Sequence, residues 1–279
     1  MKKLTLIIIV TIAFIQSSRA GFPIGYGRYL LIPGYNYYTA SGYWGPTSNY
    51  NSYGSGNFSS HYFNLYGGYG ISRRLNFLYN LPIVNQVDNN TSGKNKLYSA
   101  FALGDASLGL SYFFNDFDDL THVCLTGSLI VPLYQNQGTP YPNIGYQSLG
   151  AEAKLGFSGS ATGGFRNPYY DIEFGMRQYF ASDGPFQVFA NVTGGIPVSD
   201  DWKISGTISG VNSISSAITS STTQVFYNYN KSFYYLRLAA NAGYVVNENL
   251  SIWGGLYTDV AGRSVGKGSG LSLSAVIKF

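Results

Sequence analysis

Apolar and polar residues alternate along most of this chain with a period of two, and the last nine residues show the pattern most clearly. One face of an extended chain there carries only apolar residues, which are Leu271, Leu273, Ala275, Ile277 and Phe279. The opposite face carries Ser272, Ser274, Val276 and Lys278. This alternation predicts a β-strand with one apolar and one mainly polar face.

The same pattern predicts eleven further strands upstream, which makes twelve in total. They centre on residues 27–39, 57–71, 75–84, 105–114, 120–133, 149–161, 169–180, 186–193, 202–209, 232–246 and 250–259. After residue 20, no uncharged apolar run approaches the roughly 20 residues that a membrane-spanning helix needs. Charged residues make up only 11% of the chain, against roughly 25% in soluble domains. These observations exclude an ordinary soluble domain and a helical membrane protein.

Twelve strands of about ten residues fit a transmembrane antiparallel up-and-down β-barrel, a class that favours an even strand number. In such barrels short periplasmic turns alternate with longer external loops. The even-numbered connections are short and fall at 72–74, 115–119, 162–168, 199–201 and 247–249. The odd-numbered connections fall at 40–56, 85–104, 134–148, 181–185, 210–231 and 260–270, and all but 181–185 are longer. We therefore predict an all-β barrel with periplasmic N- and C-termini.

Three of the short turns, at 72–74, 199–201 and 247–249, place three polar residues between apolar strand ends. Polar side chains at such positions favour a turn over a longer strand. We expect these three turns to be copies of one local structure.

The first 20 residues have the pattern of a cleaved signal peptide. A basic start at Lys2 and Lys3 precedes the apolar run 4–15, and Ser18 and Ala20 supply the small residues of a cleavage site. The predicted mature barrel is then 21–279, a single domain. Removing this segment leaves 14 basic and 13 acidic residues, so we expect no nucleic-acid partner. The single cysteine, Cys124, cannot form an internal disulfide.

Charged residues within strands are the candidate functional residues. A charge that faced lipid near the bilayer midplane would cost about 2–4 kcal/mol for Lys or Arg, so we expect these side chains to point into the lumen. The candidates are Arg28, Glu152, Lys154, Asp171, Glu173, Arg177, Lys203, Arg237 and Lys278. Two interpretations remain open, a structural ion-pair network that fills the barrel or a selectivity lining of a narrow pore.

Aromatic residues near the predicted strand ends favour the membrane interfaces, where amphipathic rings are enriched. The expected girdle comprises Tyr35, Tyr37, Tyr62, Tyr79, Tyr112, Phe114, Tyr179, Phe180, Trp202, Tyr234 and Tyr244. A role in stacking against a ligand is the alternative for aromatic residues in loops, such as Tyr43, Trp44, Tyr50 and Tyr53.

The C-terminal strand resembles the signature strand of bacterial outer-membrane β-barrels, which typically ends in Phe. This resemblance implies that Phe279 is an assembly signal and that the barrel-assembly machinery is a partner. It also implies export to the outer membrane, where lipid and lipopolysaccharide would surround the barrel.

Two internal segments resemble a more specific outer-membrane family, the MetA-pathway phenol-degradation proteins. The hairpin 69–82 (YGISRRLNFLYNLP) and the strand 103–112 (LGDASLGLSY) carry the likeness. Members are described as transporter-like barrels, so the resemblance implies transport of aromatic or hydrophobic compounds and no catalysis.

The leading functional hypothesis is an outer-membrane channel for passive diffusion of small solutes, including aromatic or hydrophobic ones. A structural or surface-recognition barrel without a conducting pore is the alternative. A lipid-modifying enzyme is the third, but only His61 and His122 could serve as its base, so we predict no enzyme. The sequence contains no metal-binding or cofactor motif, and we expect neither group.

Overall fold

The structure of the chain is a computed structural model that describes residues 23–90, 96–117, 121–138, 141–161, 167–216 and 230–279. These residues contain fourteen strands. Their bounds are β1 (Tyr29–Trp44), β2 (Tyr50–Ser52), β3 (Asn57–Gly70), β4 (Leu75–Asn90), β5 (Lys96–Leu103), β6 (Asp105–Phe117), β7 (Thr121–Pro132), β8 (Gly150–Ser160), β9 (Tyr169–Tyr179), β10 (Phe186–Pro197), β11 (Trp202–Ile214), β12 (Phe233–Asn247), β13 (Leu250–Arg263) and β14 (Val265–Lys278). Among the described residues, no helix has the length and apolar character needed to cross a membrane.

The strands form one closed antiparallel sheet, because β14 pairs with β1 along most of its length. Strands β5 and β6 are two halves of one wall strand, interrupted at Gly104, and both pair with β4. The short strand β2 only extends the sheet beside the end of β1. The wall therefore has twelve strands, which confirms the predicted up-and-down β-barrel.

The two faces of the wall differ as the period of two predicts. Large apolar side chains on the outer face are open to the surroundings, and Leu129 and Leu256 are 62% and 69% exposed. The inner face carries small and polar side chains, and Ser111 and Ser158 are almost fully buried there. Because the closed sheet pairs its own backbone groups, an apolar outer face is compatible with a hydrocarbon environment.

The three similar turns share one hydrogen-bonding device, as expected. In each turn, the side-chain oxygen of the first polar residue accepts backbone N–H groups two or three residues later. Ser72 Oγ accepts from Arg74 and Leu75 at 3.2 and 3.0 Å. Asn247 Oδ1 accepts from Asn249 and Leu250, each at 2.9 Å, and Ser199 Oγ accepts from Trp202 at 2.9 Å.

The prediction of long loops at 85–104 and 260–270 is wrong. Strand β4 continues to residue 90 and β5 returns beside it, with Asp88 opposite Tyr98. Strand β13 runs to residue 263 and β14 begins at 265, leaving Ser264 between them at φ 54°. The glycines within 260–270 led to the prediction of a loop. In the structure they lie in strands, where the absence of a side chain leaves space for neighbouring aromatic rings. A Cβ at Gly268 would lie 2.5 Å from Tyr38 Cζ.

Several predictions fall on residues outside the described part of the chain. The signal peptide 1–20 lies there, as do segments 118–120, 162–166 and 217–229 of three predicted connections. The predicted turn at 115–119 starts too early, since β6 continues to Phe117. The connection 181–185 is the tight turn that the sequence predicts, with the Gly184 N–H bonded to the Ala181 carbonyl at 2.9 Å.

Substituting Asn247→Ala removes the acceptor for two turn N–H groups. We expect the free energy of unfolding to fall by about 1 kcal/mol, since one side-chain acceptor is lost at an exposed turn. Urea unfolding of the refolded barrel in lipid vesicles, followed by tryptophan fluorescence, measures this. The control is Asn249→Ala, which removes a similar side chain from the same turn. An equal loss in both variants would contradict the capping role.

Candidate functional site

Four cavities follow one another inside the barrel. The end of the barrel that carries the short turns, here the turn end, contains a vestibule of about 820 Å³. A passage of about 150 Å³ follows, then a central cavity of about 680 Å³. The opposite end, here the loop end, contains a chamber of about 440 Å³.

Neighbouring cavities share lining residues. Lys203 and Lys278 line both the vestibule and the passage. Trp253 and Val276 line both the passage and the central cavity. Tyr62 lines both the central cavity and the loop-end chamber. These shared side chains lie at the boundaries between neighbouring cavities.

An ion-pair ladder crosses β8, β9 and β10 on the inner face. Arg177 donates from Nε to Glu152 at 2.9 Å and also from Nη2 to the same carboxylate. Lys154 lies 2.9 Å from Glu173, which also accepts from Asn191 at 3.2 Å. The register explains the pairing, because Glu152 lies directly opposite Arg177. Two cations and two carboxylates neutralise one another here, and three of the four line the central cavity.

A second ion pair lies in the loop-end chamber, between Arg237 and Asp259. These two residues are paired across β12 and β13, and Arg237 Nε and Nη2 donate to the two carboxylate oxygens at 2.7 and 3.2 Å. The guanidinium also faces the rings of Tyr38, Tyr235 and Tyr257, with the Tyr257 centroid at 4.4 Å. The pair is thus held between aromatic rings.

The remaining candidate residues lie nearer the turn end. Arg28, Lys203 and Lys278 line the vestibule together with one acidic residue, Glu248. Asp171 is 6% exposed on the inner side of β9, between the charged ladder and the turn end. Of the nine candidates, four thus lie in the ladder, three in the vestibule and one, Arg237, in the loop-end chamber, while Asp171 lies between the ladder and the vestibule. Cations exceed carboxylates among the residues that line the vestibule.

The described parts of the connection between β7 and β8, which are 133–138 and 141–149, fold into the barrel. Ile144 lines the central cavity, and Tyr146 accepts a hydrogen bond from Gln187 on β10 at 3.1 Å. Asn136 fixes the fold of the loop, because its side chain bonds the Gly145 carbonyl at 2.8 Å and the Ile144 N–H at 3.0 Å.

A tyrosine anchors this inward loop to the wall. Tyr134 donates to Asp105 at 2.9 Å and accepts from the Gln147 N–H at 2.9 Å. Burial raises the pKa of the Tyr134 and Tyr146 hydroxyls, so both remain protonated at neutral pH. The described parts of the loop are thus held to the barrel wall by hydrogen bonds.

The segment before β1 narrows the turn end. The Gly27 N–H bonds to the Gly70 carbonyl at 2.9 Å, and a Cβ at Gly70 would lie 1.8 Å from the Gly25 oxygen. Only glycine at position 70 permits this approach to the inner face of β3. Phe279 closes the barrel at the same end, where its N–H bonds to the Tyr29 carbonyl at 3.1 Å and its ring stacks on Tyr29.

Two residues of the predicted aromatic girdle face the lumen and not the outside of the barrel. Tyr62 and Tyr179 line the central cavity, because their positions along β3 and β9 are in phase with the polar residues. Other residues of the predicted girdle lie on the outer face, and Tyr112 and Trp202 are 44% and 49% exposed there.

The two histidines lie on opposite faces of the wall. His61 lies on the outer face, where its Nδ1 and the Tyr35 hydroxyl form a hydrogen bond of 2.9 Å. His122 belongs to the inner face of β7, as does Cys124, which is 4% exposed. His61 and His122 therefore cannot act together on one substrate group. The described residues contain no group of three or more metal-ligating side chains.

Sequence reasoning missed several inward polar residues. Asp88, Asp105 and Asp259 lie at or beyond the edges of the predicted strands, so the alternation was not extended to them. Continuing the period of two along β4 and β13 would have placed Asp88 and Asp259 inside. No sequence signal indicated that Tyr146 would reach the ladder, because its position depends on the fold of a loop.

Solved structures with the same architecture are outer-membrane barrels. An outer-membrane channel from Pseudomonas putida F1 has a TM-score of 0.75 at 13% identity, over 95% of this chain and 100% of that chain. The transport unit of an Escherichia coli autotransporter has a TM-score of 0.51 at 12% identity, over 97% and 95% of the two chains. The translocator domain of a Neisseria meningitidis autotransporter has a TM-score of 0.50 at 10% identity, over 91% and 89%.

No family model and no curated protein matches this chain. The resemblance to the MetA-pathway phenol-degradation proteins therefore rests on the sequence motifs alone. At 10–13% identity the structural likenesses show the fold. This chain has the fold of bacterial outer-membrane β-barrels.

Substituting Glu152→Gln removes the carboxylate that Arg177 shares, while the ladder keeps both cations. We expect the free energy of unfolding to fall by about 3 kcal/mol, because Glu152 is only 10% exposed and a half-buried cation loses its partner. Urea unfolding in lipid vesicles measures the loss. The control Glu248→Gln removes an equal charge from an exposed turn, and similar stabilities of the two variants would contradict a structural role of the ladder.

Proposed function

We propose that this chain is a bacterial outer-membrane channel for passive diffusion of small solutes, including aromatic and hydrophobic ones. The observation that carries the proposal is the series of cavities along the lumen, each of which shares lining residues with the next. A barrel of about eight strands is filled by side chains, whereas one of 16–18 holds a wide aqueous channel. Twelve strands with inward loop 133–149 suit a narrow path.

The inner surface supports this class of solutes. The boundaries between the cavities carry the rings of Tyr62 and Trp253, which offer flat apolar faces to a passing molecule. The ion pairs of the ladder and of Arg237 are locally neutralised. We propose that the three vestibule cations, Arg28, Lys203 and Lys278, provide the charge selectivity at the turn end.

We further propose the orientation and the route of assembly. The turn end faces the periplasm, so that both chain termini lie there, and the loop end faces the outside. The segment 1–20 is removed on export, and Phe279 presents the final strand to the barrel-assembly machinery. The separation of His61 and His122 supports a role without catalysis.

The second candidate is a surface-recognition barrel without a conducting pore. The observation that favours it is the inward loop 133–149, which fills part of the lumen and is held by several hydrogen bonds. Ion flux distinguishes the two candidates directly.

Single-channel recording on the refolded mature barrel in planar bilayers tests the proposal. We expect stepwise conductance, and swelling of liposomes that contain the barrel when small solutes are added outside. Absence of both conductance and solute flux would overturn the channel and leave the recognition barrel.

Substituting Trp253→Ala removes a ring from the junction between the passage and the central cavity. We expect single-channel conductance to rise, because removal of the ring widens the boundary between the passage and the central cavity. The matched control is Trp202→Ala, which removes the same ring from the outer face, where it is 49% exposed. Equal conductance in both variants would contradict a path past Trp253.

A further inference from the structure

Two neighbouring side chains on the inner face of β4 hold polar atoms without partners. Both carboxylate oxygens of Asp88 and the amide oxygen of Gln86 are buried and have no hydrogen-bond partner in the described part of the chain. Asp88 is 0% exposed and Gln86 is 7% exposed. Burial of a carboxylate without a hydrogen-bond partner costs free energy. The three unpartnered oxygens therefore favour a ligand that donates hydrogen bonds.

These acceptors adjoin the loop-end chamber. Gln86 lines the chamber. Phe58, which lies directly opposite Asp88 on β3, and Tyr53 also line it. Burial raises the pKa of the Tyr53 hydroxyl, and the Asp88 carboxylate raises this pKa further.

Asp88 adjoins the chamber, because it lies two residues after Gln86 on the same face of β4. The ionised groups that line the chamber, Arg237 and Asp259, neutralise each other through two hydrogen bonds. The Asp88 carboxyl is therefore an acidic group beside the chamber whose oxygens have no hydrogen-bond partner among the described residues. Aromatic rings on the surrounding strands supply the faces that attract a cation and its apolar body.

We propose that the loop-end chamber binds organic cations that carry a primary ammonium group on an aromatic body. A primary ammonium group has three N–H donors, which matches the three unpartnered oxygens of Gln86 and Asp88. The aromatic body then lies in the chamber against Tyr53 and Phe58. The inference deepens the proposed function, and rests on it, because solutes must enter the lumen to reach this site.

Access to Asp88 requires a local movement. The carboxylate is fully buried, so the ammonium group displaces chamber-lining side chains as it binds. Tyr53 belongs to the connection after β2, not to the barrel wall. Rotation of its side chain therefore leaves the backbone pairing of the wall intact.

Isothermal titration calorimetry on the full refolded mature barrel in detergent tests this proposal without requiring conduction. The probe is phenethylammonium, and phenethyl alcohol and phenylacetate carry the same ring with a neutral or negative group. We expect phenethylammonium to bind at least about tenfold more tightly than the other two compounds, since only it supplies a charge-assisted hydrogen bond to Asp88. Equal affinity for phenethylammonium and phenethyl alcohol would overturn the proposal.

The variant Asp88→Asn removes the acidic group, and the control Asp200→Asn makes the same substitution at an exposed position of the turn 199–201. We expect Asp88→Asn to weaken phenethylammonium binding by about tenfold and Asp200→Asn to leave it unchanged. The variant Gln86→Leu keeps the carboxylate and removes the third acceptor, so a smaller loss is expected. Unchanged affinity in Asp88→Asn, or in Gln86→Leu if the first variant does not fold, overturns the site.

The calorimetric result is independent of the bilayer recordings. Conductance without selective binding of phenethylammonium overturns this site and leaves the proposed channel. Selective binding without conductance supports the site and overturns the proposed channel.

Discussion

The pairing of β1 with β14 is the interaction on which the rest of the structure depends. It converts a meander of antiparallel strands into a closed wall, in which the strands pair with neighbours on both sides. An apolar environment demands such closure, since an unpaired backbone group there costs several kcal/mol. Once the wall is closed, the period of two assigns every side chain to the outside or the lumen.

In the described part of the chain, side chains and one loop divide the lumen. The ladder of Glu152, Lys154, Glu173 and Arg177 strengthens one side of the wall, where burial makes an unpaired charge expensive. The inward loop 133–149 reaches the same side and joins it through Tyr146 and Gln187. A compact set of hydrogen bonds and ion pairs thus lies along one side of the central cavity.

Much of the candidate site was predictable because strand registers transmit sequence patterns directly into space. Glu152 and Lys154 lie on the inner face of β8. Glu173 and Arg177 lie on the inner face of β9, and the pairing of the two strands brings the four side chains together. Partners from the strand ends were not predictable in this way. Asp259 is the last residue of a predicted strand, and it neutralises Arg237 because the register of β12 and β13 places the two residues opposite each other. Asp88 lies on the inner face because β4 continues past its expected end.

The sequence by itself determined the strand number, the two faces of the wall and the polar turns, because each depends on local periodicity and on side chains near in the chain. The tertiary structure alone decided where the strands end, which loop enters the lumen and how the interior divides into cavities. These features depend on contacts between residues far apart in sequence, such as Tyr38 beside Gly268 and Tyr134 beside Gln147 and Asp105. A local pattern contains no information about such distant packing.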